Sequence, residues 1–131
     1  MARGQRLPPT VGIMIQVTER QFTFQLKDLA ETLGWLFYHP FLSVHSARGY
    51  PDCTLVRPPR IIMCELKSEK GQPTAAQHEW LEALQHCPGV EAYLWRPSDL
   101  DEIVRILQAQ TLPKAYEHGF PIAVALQPVE E

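Results

Sequence analysis

A chain that changes from helical to strand-like hydrophobic periodicity and back again predicts an α/β fold, here a sandwich with a mixed sheet. Three observations carry this. An apolar stripe of period 3.6 opens at Thr18. Two β-branched runs then flank a pair of prolines, and a second helical stripe separates them from a fourth strand-like run. The predicted order is α-β-β-β-α-β-α. At 131 residues the chain fits a single domain, since dividing this length between two cores would leave each marginal. The predicted core runs over about residues 18–108, with an N-terminal extension (1–17) and a C-terminal tail (109–131).

The first helix is expected from Thr18, with Phe22, Leu26, Leu29, Ala30 and Leu33 on one face and Gly34 as its stop. "WLFYHP" (Trp35 to Pro40) has strand composition and is bounded by its proline. The Ser, Gly and Pro density from Leu42 to Tyr50 predicts a mobile connection. "CTLVR" and "IIMCELK" read as two strands of a hairpin turned by "PPR", because consecutive prolines withhold ladder donors. After the "SEKGQP" turn, Thr74 opens a helix with Gln77, Trp80, Leu81 and Leu84 on one face, and "CPG" ends it. "VEAYLW" is the fourth strand. "RPSDLDEIVRILQ" is the last helix, with Ser98 as its N-cap and Leu100, Ile103, Val104 and Leu107 as its stripe. "PIAVALQP" in the tail is open between an edge strand, a subunit contact and no ordered structure.

Composition narrows the function classes. The apolar and charged fractions, 45% and 21%, are those of a folded domain rather than a disordered one. No apolar run approaches the roughly 18 residues of a membrane span, and "VGIMIQV" is too short for a signal peptide, so a cytoplasmic protein is expected. Three cysteines without a CxxC pair point away from a disulfide framework and from structural zinc; Cys53, Cys64 and Cys87 read as reduced, mostly buried residues. The net charge of -3 gives no global pull toward nucleic acid, but Val44 to Lys70 holds five basic residues against three acidic ones. A solvated mixed surface is the plainer reading of that excess.

The chemistry concentrates in "GYPDCTLVRPPRIIMCELKSEKG", Gly49 to Gly71. Strand alternation puts Met63, Glu65 and Lys67 on one face, and a hairpin through Pro58 and Pro59 brings Asp52 beside Glu65. Two carboxylates and an ammonium then converge. Taken singly, Asp52 is also a good turn acid, and Glu65 with Lys67 a plain ion pair. Phosphodiester hydrolysis needs a nucleophilic water activated near neutral pH and neutralisation of charge on the phosphate. A bound hard cation, Mg²⁺ or Mn²⁺, supplies both through oxygen ligands. No Ser/His/Asp grouping, glycine-rich phosphate loop or metal-binding His pair competes with this reading.

"GYPD" followed by "ELK" reproduces the PD-(D/E)XK nuclease pattern. With "TERQF", "LGW", "QHEWLEAL" and "WRPSDLDEI" in the same order, the stretch from Thr18 to Leu107 resembles the VRR-NUC family of that superfamily. The resemblance implies a restriction-endonuclease-like fold and a metal-dependent DNA endonuclease. Its small standalone members resemble Holliday-junction resolvases of phage or bacterial cells, acting as dimers on four-way DNA junctions. It implies Asp52, Glu65 and the main-chain carbonyl of Leu66 as metal ligands, Lys67 as the residue that positions or deprotonates the attacking water, and Glu19 as a third carboxylate. Gln77 is implied near the metal. Both Glu19 and Gln77 have a second reading, because Thr18 with Gln21 and Thr74 with Gln77 are T-x-x-Q capping boxes. His45, Arg48 and Lys70 are candidate phosphate contacts, while Trp80 and Trp95 read as core. Flap, nicking or restriction-type cleavage on the same site, and a non-catalytic DNA-binding module, are the alternatives.

Overall fold

The computed structural model describes residues 16–40 and 47–111; the predicted tail strand and most of the N-terminal extension lie outside them. Within this span the elements are α1 (Glu19–Thr32), β1 (Leu36–Tyr38), β2 (Cys53–Arg57), β3 (Arg60–Leu66), α2 (Ala75–Gln85), β4 (Val90–Trp95), a 3-10 turn (Pro97–Asp99) and α3 (Leu100–Gln108). The predicted α/β class with a mixed sheet is what the described residues adopt. Four strands lie in the order β1-β2-β3-β4, antiparallel except for the parallel β3–β4 pair, which the α2 crossover makes possible.

Both capping boxes close. Thr18 accepts from the Gln21 N–H at 3.0 Å while Gln21 accepts from the Thr18 N–H at 2.9 Å, and Thr74 with Gln77 repeats this at 3.1 and 2.8 Å. α1 ends before Gly34, whose φ of +90° lets the chain turn directly into Trp35. α3 begins later than the sequence pattern implied. Ser98 is not its N-cap: it sits inside the 3-10 turn, and the Asp99 carboxylate accepts instead from the Arg96 N–H at 2.8 Å.

The main core joins Phe22, Leu26 and Ala30 of α1 to alternate residues of β2 and β3 and to Ile103 and Leu107 of α3. A smaller cluster of Leu81, Ala92 and Leu94, with Leu84 against it, seats α2 against β4. Fully burying each large apolar side chain contributes about 1.5–3 kcal/mol. Trp95 is core, as expected.

Two further corrections concern Arg60 and Cys87. "PPR" is not wholly a turn, because Arg60 already belongs to β3, paired with Arg57, and is buried. Its guanidinium meets Glu91 in two bonds of 2.7 Å, with both side chains fully buried, and Tyr93 donates to the same carboxylate at 2.8 Å. Arg60 also donates to the carbonyls of Ile106 and Ala109, Arg57 to those of Leu33 and Ala109, and the Trp35 indole to that of Leu107. These bonds satisfy carbonyls at the ends of α3 and, through Leu33, of α1, which a helix leaves without internal partners. Two of the five basic residues counted in the central segment are thereby committed to structure and are not part of a polyanion-facing surface. The other correction is Cys87, which is exposed at the end of α2, whereas Cys53 and Cys64 are buried.

Candidate active site

The β2–β3 hairpin sets the geometry. Its register places Cys53 opposite Cys64, which brings Asp52 and Glu65 to the same end and the same face. The Leu66 N–H donates to Asp52 Oδ2 at 2.9 Å, fixing that carboxylate against β3. The N–H and C=O of one strand residue point to the same edge, so the Leu66 carbonyl is directed to the Asp52 side as well. Glu65 is only 2% exposed. Gln77 Nε2 donates to Glu65 Oε2 at 2.7 Å while its Oε1 stays in the α2 capping box. Both readings of Gln77 thus hold together: one amide caps the helix and steers the acid.

Burial raises the Glu65 carboxyl to about 9. The neighbouring Asp52 charge and a hydrogen bond to Asp52 add to this, Lys67 opposes it, and Glu19 adds a further upward push. As a carboxylate, Glu65 leaves Oε1 buried without a hydrogen-bond donor among the described residues. A buried anionic oxygen with no donor, next to a second carboxylate, is the surrounding a hard cation compensates. Asp52, Glu65 and the Leu66 carbonyl are the oxygens that would hold it. Among the described residues no group of three His, Cys, Asp or Glu side chains that could hold a metal ion is found, and the charge of Glu19 is felt at Glu65.

Glu19 is exposed in the first turn of α1, whereas Phe22 three residues later is fully buried. It lines, together with Asp52, a cavity of about 410 Å³ between α1 and β1. His39 lines the same cavity, and its Nδ1 lies 2.9 Å from the Asp52 carbonyl. A carbonyl only accepts, so Nδ1 carries the proton there and Nε2 is the unprotonated nitrogen of the neutral ring. His39 was missed in the sequence; nothing local in "WLFYHP" signals that the side chain just after β1 reaches the Asp52 backbone.

Lys67 follows β3 on the Glu65 face, half-buried, and its N–H continues the sheet by donating to the Trp95 carbonyl at 3.0 Å. The turn beyond it is held by Arg96, which donates to the carbonyls of Ser68, Glu69 and Gly71 at 2.8, 3.1 and 2.6 Å. The Glu69 carboxylate in turn accepts from the Ser98 N–H. Lys70 is exposed on this turn.

On the other side of Asp52, the expected mobile connection is pinned where it is described. The Trp80 indole donates to the Arg48 carbonyl at 3.0 Å, and Tyr50 packs edge-on against Trp80 at 4.9 Å between centroids. Gly49 has φ +82°, and a Cβ there would lie 2.4 Å from the Ala76 carbonyl carbon, so this approach to α2 requires glycine. Trp80 is therefore not core, as expected from its apolar face, but the half-buried clamp for the segment leading into Pro51 and Asp52. The Arg48 side chain is exposed; His45 lies outside the described residues.

Searches of protein-family models, of curated proteins and of solved structures find no match to this chain. Among the described residues no helix is long and apolar enough to cross a membrane.

Proposed function

We propose that this chain is a divalent-metal-dependent DNA endonuclease of the PD-(D/E)XK kind, resembling the VRR-NUC family and built on a restriction-endonuclease-like sandwich. The observation that carries the reading is the pairing of Asp52 with the buried Glu65, whose Oε1 has no donor among the described residues, with Lys67 two residues further along the same face. Mg²⁺ or Mn²⁺, when bound, supplies a more acidic water and positive charge against the phosphate.

The chain's own residues do the rest. Asp52 and Glu65 present oxygens from two strands whose register is fixed by the hairpin. The Gln77 amide stops Glu65 from turning away, and the Leu66 N–H does the same for Asp52. Lys67 orients the attacking water and faces the negative charge that builds on the phosphoryl oxygens. Glu19, at the mouth, contributes through outer-lying water and by charge. Arg48 and Lys70, exposed on either side of the acids, meet the flanking phosphates.

The proposed substrate is branched DNA, foremost the four-way junction. Each chain carries one such acid pair, and symmetric incision of a two-fold junction needs two, so the working form on this reading is a C2 homodimer. Cleavage of labelled junction, flap, nicked duplex, linear duplex and single strand, with Mg²⁺, Mn²⁺ or chelator, tests it. Metal-dependent symmetric cutting of the junction, lost in Asp52→Asn, is expected. Cutting confined to a flap or nick would change the substrate and keep the site. Binding without metal-stimulated cutting of any substrate would replace the endonuclease with a DNA-binding module.

A further inference from the structure

The cavity between α1 and β1 extends away from the acid pair and is built differently from it. Along α1, Arg20, Phe24 and Lys27 fall at i, i+4 and i+7, so a cation, an aromatic ring and a second cation line one helix face, starting beside Glu19. The opposite face carries the buried Phe22, Leu26 and Ala30. Nothing in the core requires the first stripe to be aromatic: Phe24 is 45% exposed, with the Arg20 guanidinium over its ring at 5.6 Å from the centroid. Phe37 and Tyr38 of β1 add apolar surface from the facing wall, and Tyr38 is 62% exposed. At about 410 Å³ the cavity falls in the range of about 300–1,000 Å³ that holds nucleotide-sized ligands.

Taken with the endonuclease reading, on which this rests, we infer that the α1–β1 cavity holds one unstacked nucleotide of the substrate strand next to the cleaved phosphate. Its base lies against Phe24 and its phosphate meets Arg20 and Lys27. Aromatic rings between cations are how proteins hold unpaired bases, because every base offers a π face and every linkage a negative charge. Lys27 is paired with Glu31 at 3.0 Å, but that pair is exposed and worth little, so a phosphate competes for it. His39 Nε2, an acceptor at the Asp52 end of the same cavity, suits an exocyclic amino group of the base. A perfectly paired duplex cannot supply such a base without unstacking it. The cavity therefore selects substrates with an unpaired or easily opened position at the cut, such as a branch point.

The test is equilibrium binding in chelator, where no cleavage occurs. The probes are an oligonucleotide with a single 2-aminopurine, as a single strand and within a fully paired duplex of the same sequence. Wild type is expected to bind the single strand at least about tenfold more tightly than the duplex and to quench its fluorescence by stacking. Phe24→Ala, confirmed folded by circular dichroism, should lose the quench and about tenfold in affinity; Arg20→Gln should weaken binding and lower its salt dependence. A Phe24→Ala protein that binds and quenches as wild type does, or a wild type with no preference for the single strand, overturns the inference. Cleavage assays on the same proteins separate the two readings. Metal-dependent cutting with a quench that ignores Phe24 removes only the cavity's role, whereas a Phe24-dependent quench without Asp52-dependent cutting removes only the endonuclease.

Discussion

Lys67 and Glu65 stand two residues apart on one strand face yet meet different surroundings, which lets their roles be separated. Glu65 is almost wholly buried and held by Gln77; Lys67 is half-buried with no ion-pair partner within 4.0 Å among the described residues. Removing Lys67 leaves no buried charge stranded, so Lys67→Ala should fold normally and bind junction DNA within about threefold of wild type. Its single-turnover cleavage should fall by about 10²–10⁴, the usual scale for a positioned proton-transfer group. Cleavage kinetics beside anisotropy measurements check both parts, and unchanged turnover would remove Lys67 from the mechanism. Glu19 gives the complementary case. Because it is exposed on the first turn of α1, Glu19→Gln should move the folding free energy by no more than about 0.5 kcal/mol while weakening metal-supported cleavage several-fold. Thermal melts and a metal titration of the cleavage rate check it, and a variant that loses stability alone returns Glu19 to being only a helix-terminal acid.

At the level of elements, what was legible in the sequence was what local chemistry dictates. The T-x-x-Q boxes at Thr18 and Thr74, Gly34, and the Pro58–Pro59 turn act within a few residues, and alternation along "IIMCELK" then places Glu65 across from Asp52. What escaped depends on distant partners. Arg60 reads as a turn residue until Glu91, 31 positions later, and the carbonyls of Ile106 and Ala109, 46 and 49 positions later, are seen to surround it. Trp80 lies on an apolar helix face by periodicity, but its indole is claimed by the Arg48 carbonyl from 32 positions away. Glu19 stands three residues before the buried Phe22, yet its own side chain is exposed. The Arg60–Glu91 pair ties β3 to β4 and both to the end of α3. Arg60→Ala should therefore cost about 3–5 kcal/mol, because it strands a buried carboxylate and frees helix-terminal carbonyls. Arg60→Met with Glu91→Leu should recover a large part of that loss. Urea denaturation of the two variants distinguishes a stranded charge from a packing defect: equal losses in both would mean that packing, not charge, sets the penalty.

For the whole molecule, the acid pair makes stability depend on pH in a direction opposite to that of ordinary paired carboxylates. Glu65 is held at about 9 in the folded protein against an ordinary value of 4.5. The folded state therefore binds a proton that the unfolded chain releases. A raised carboxyl pKa contributes stability in full below pH 4.5, and that contribution is lost as pH rises toward 9. In chelator the melting temperature should thus fall across this window, by at most about 1.4 kcal/mol of folding free energy per pH unit. Glu65→Gln, which keeps an uncharged side chain of the same shape, should flatten the decline. Salt-bridged acids predict the reverse slope, and a melting temperature that rises with pH over this window would show that Glu65 is ionised without a cation. Adding Mn²⁺ or Mg²⁺ replaces the proton as the compensating charge, so metal should raise the melting temperature more at pH 8.5 than at pH 6 in wild type and little at either in Glu65→Gln. The same buried carboxyl that weakens the metal-free protein at high pH is, on this reading, what couples cation binding to the stability of the entire sheet.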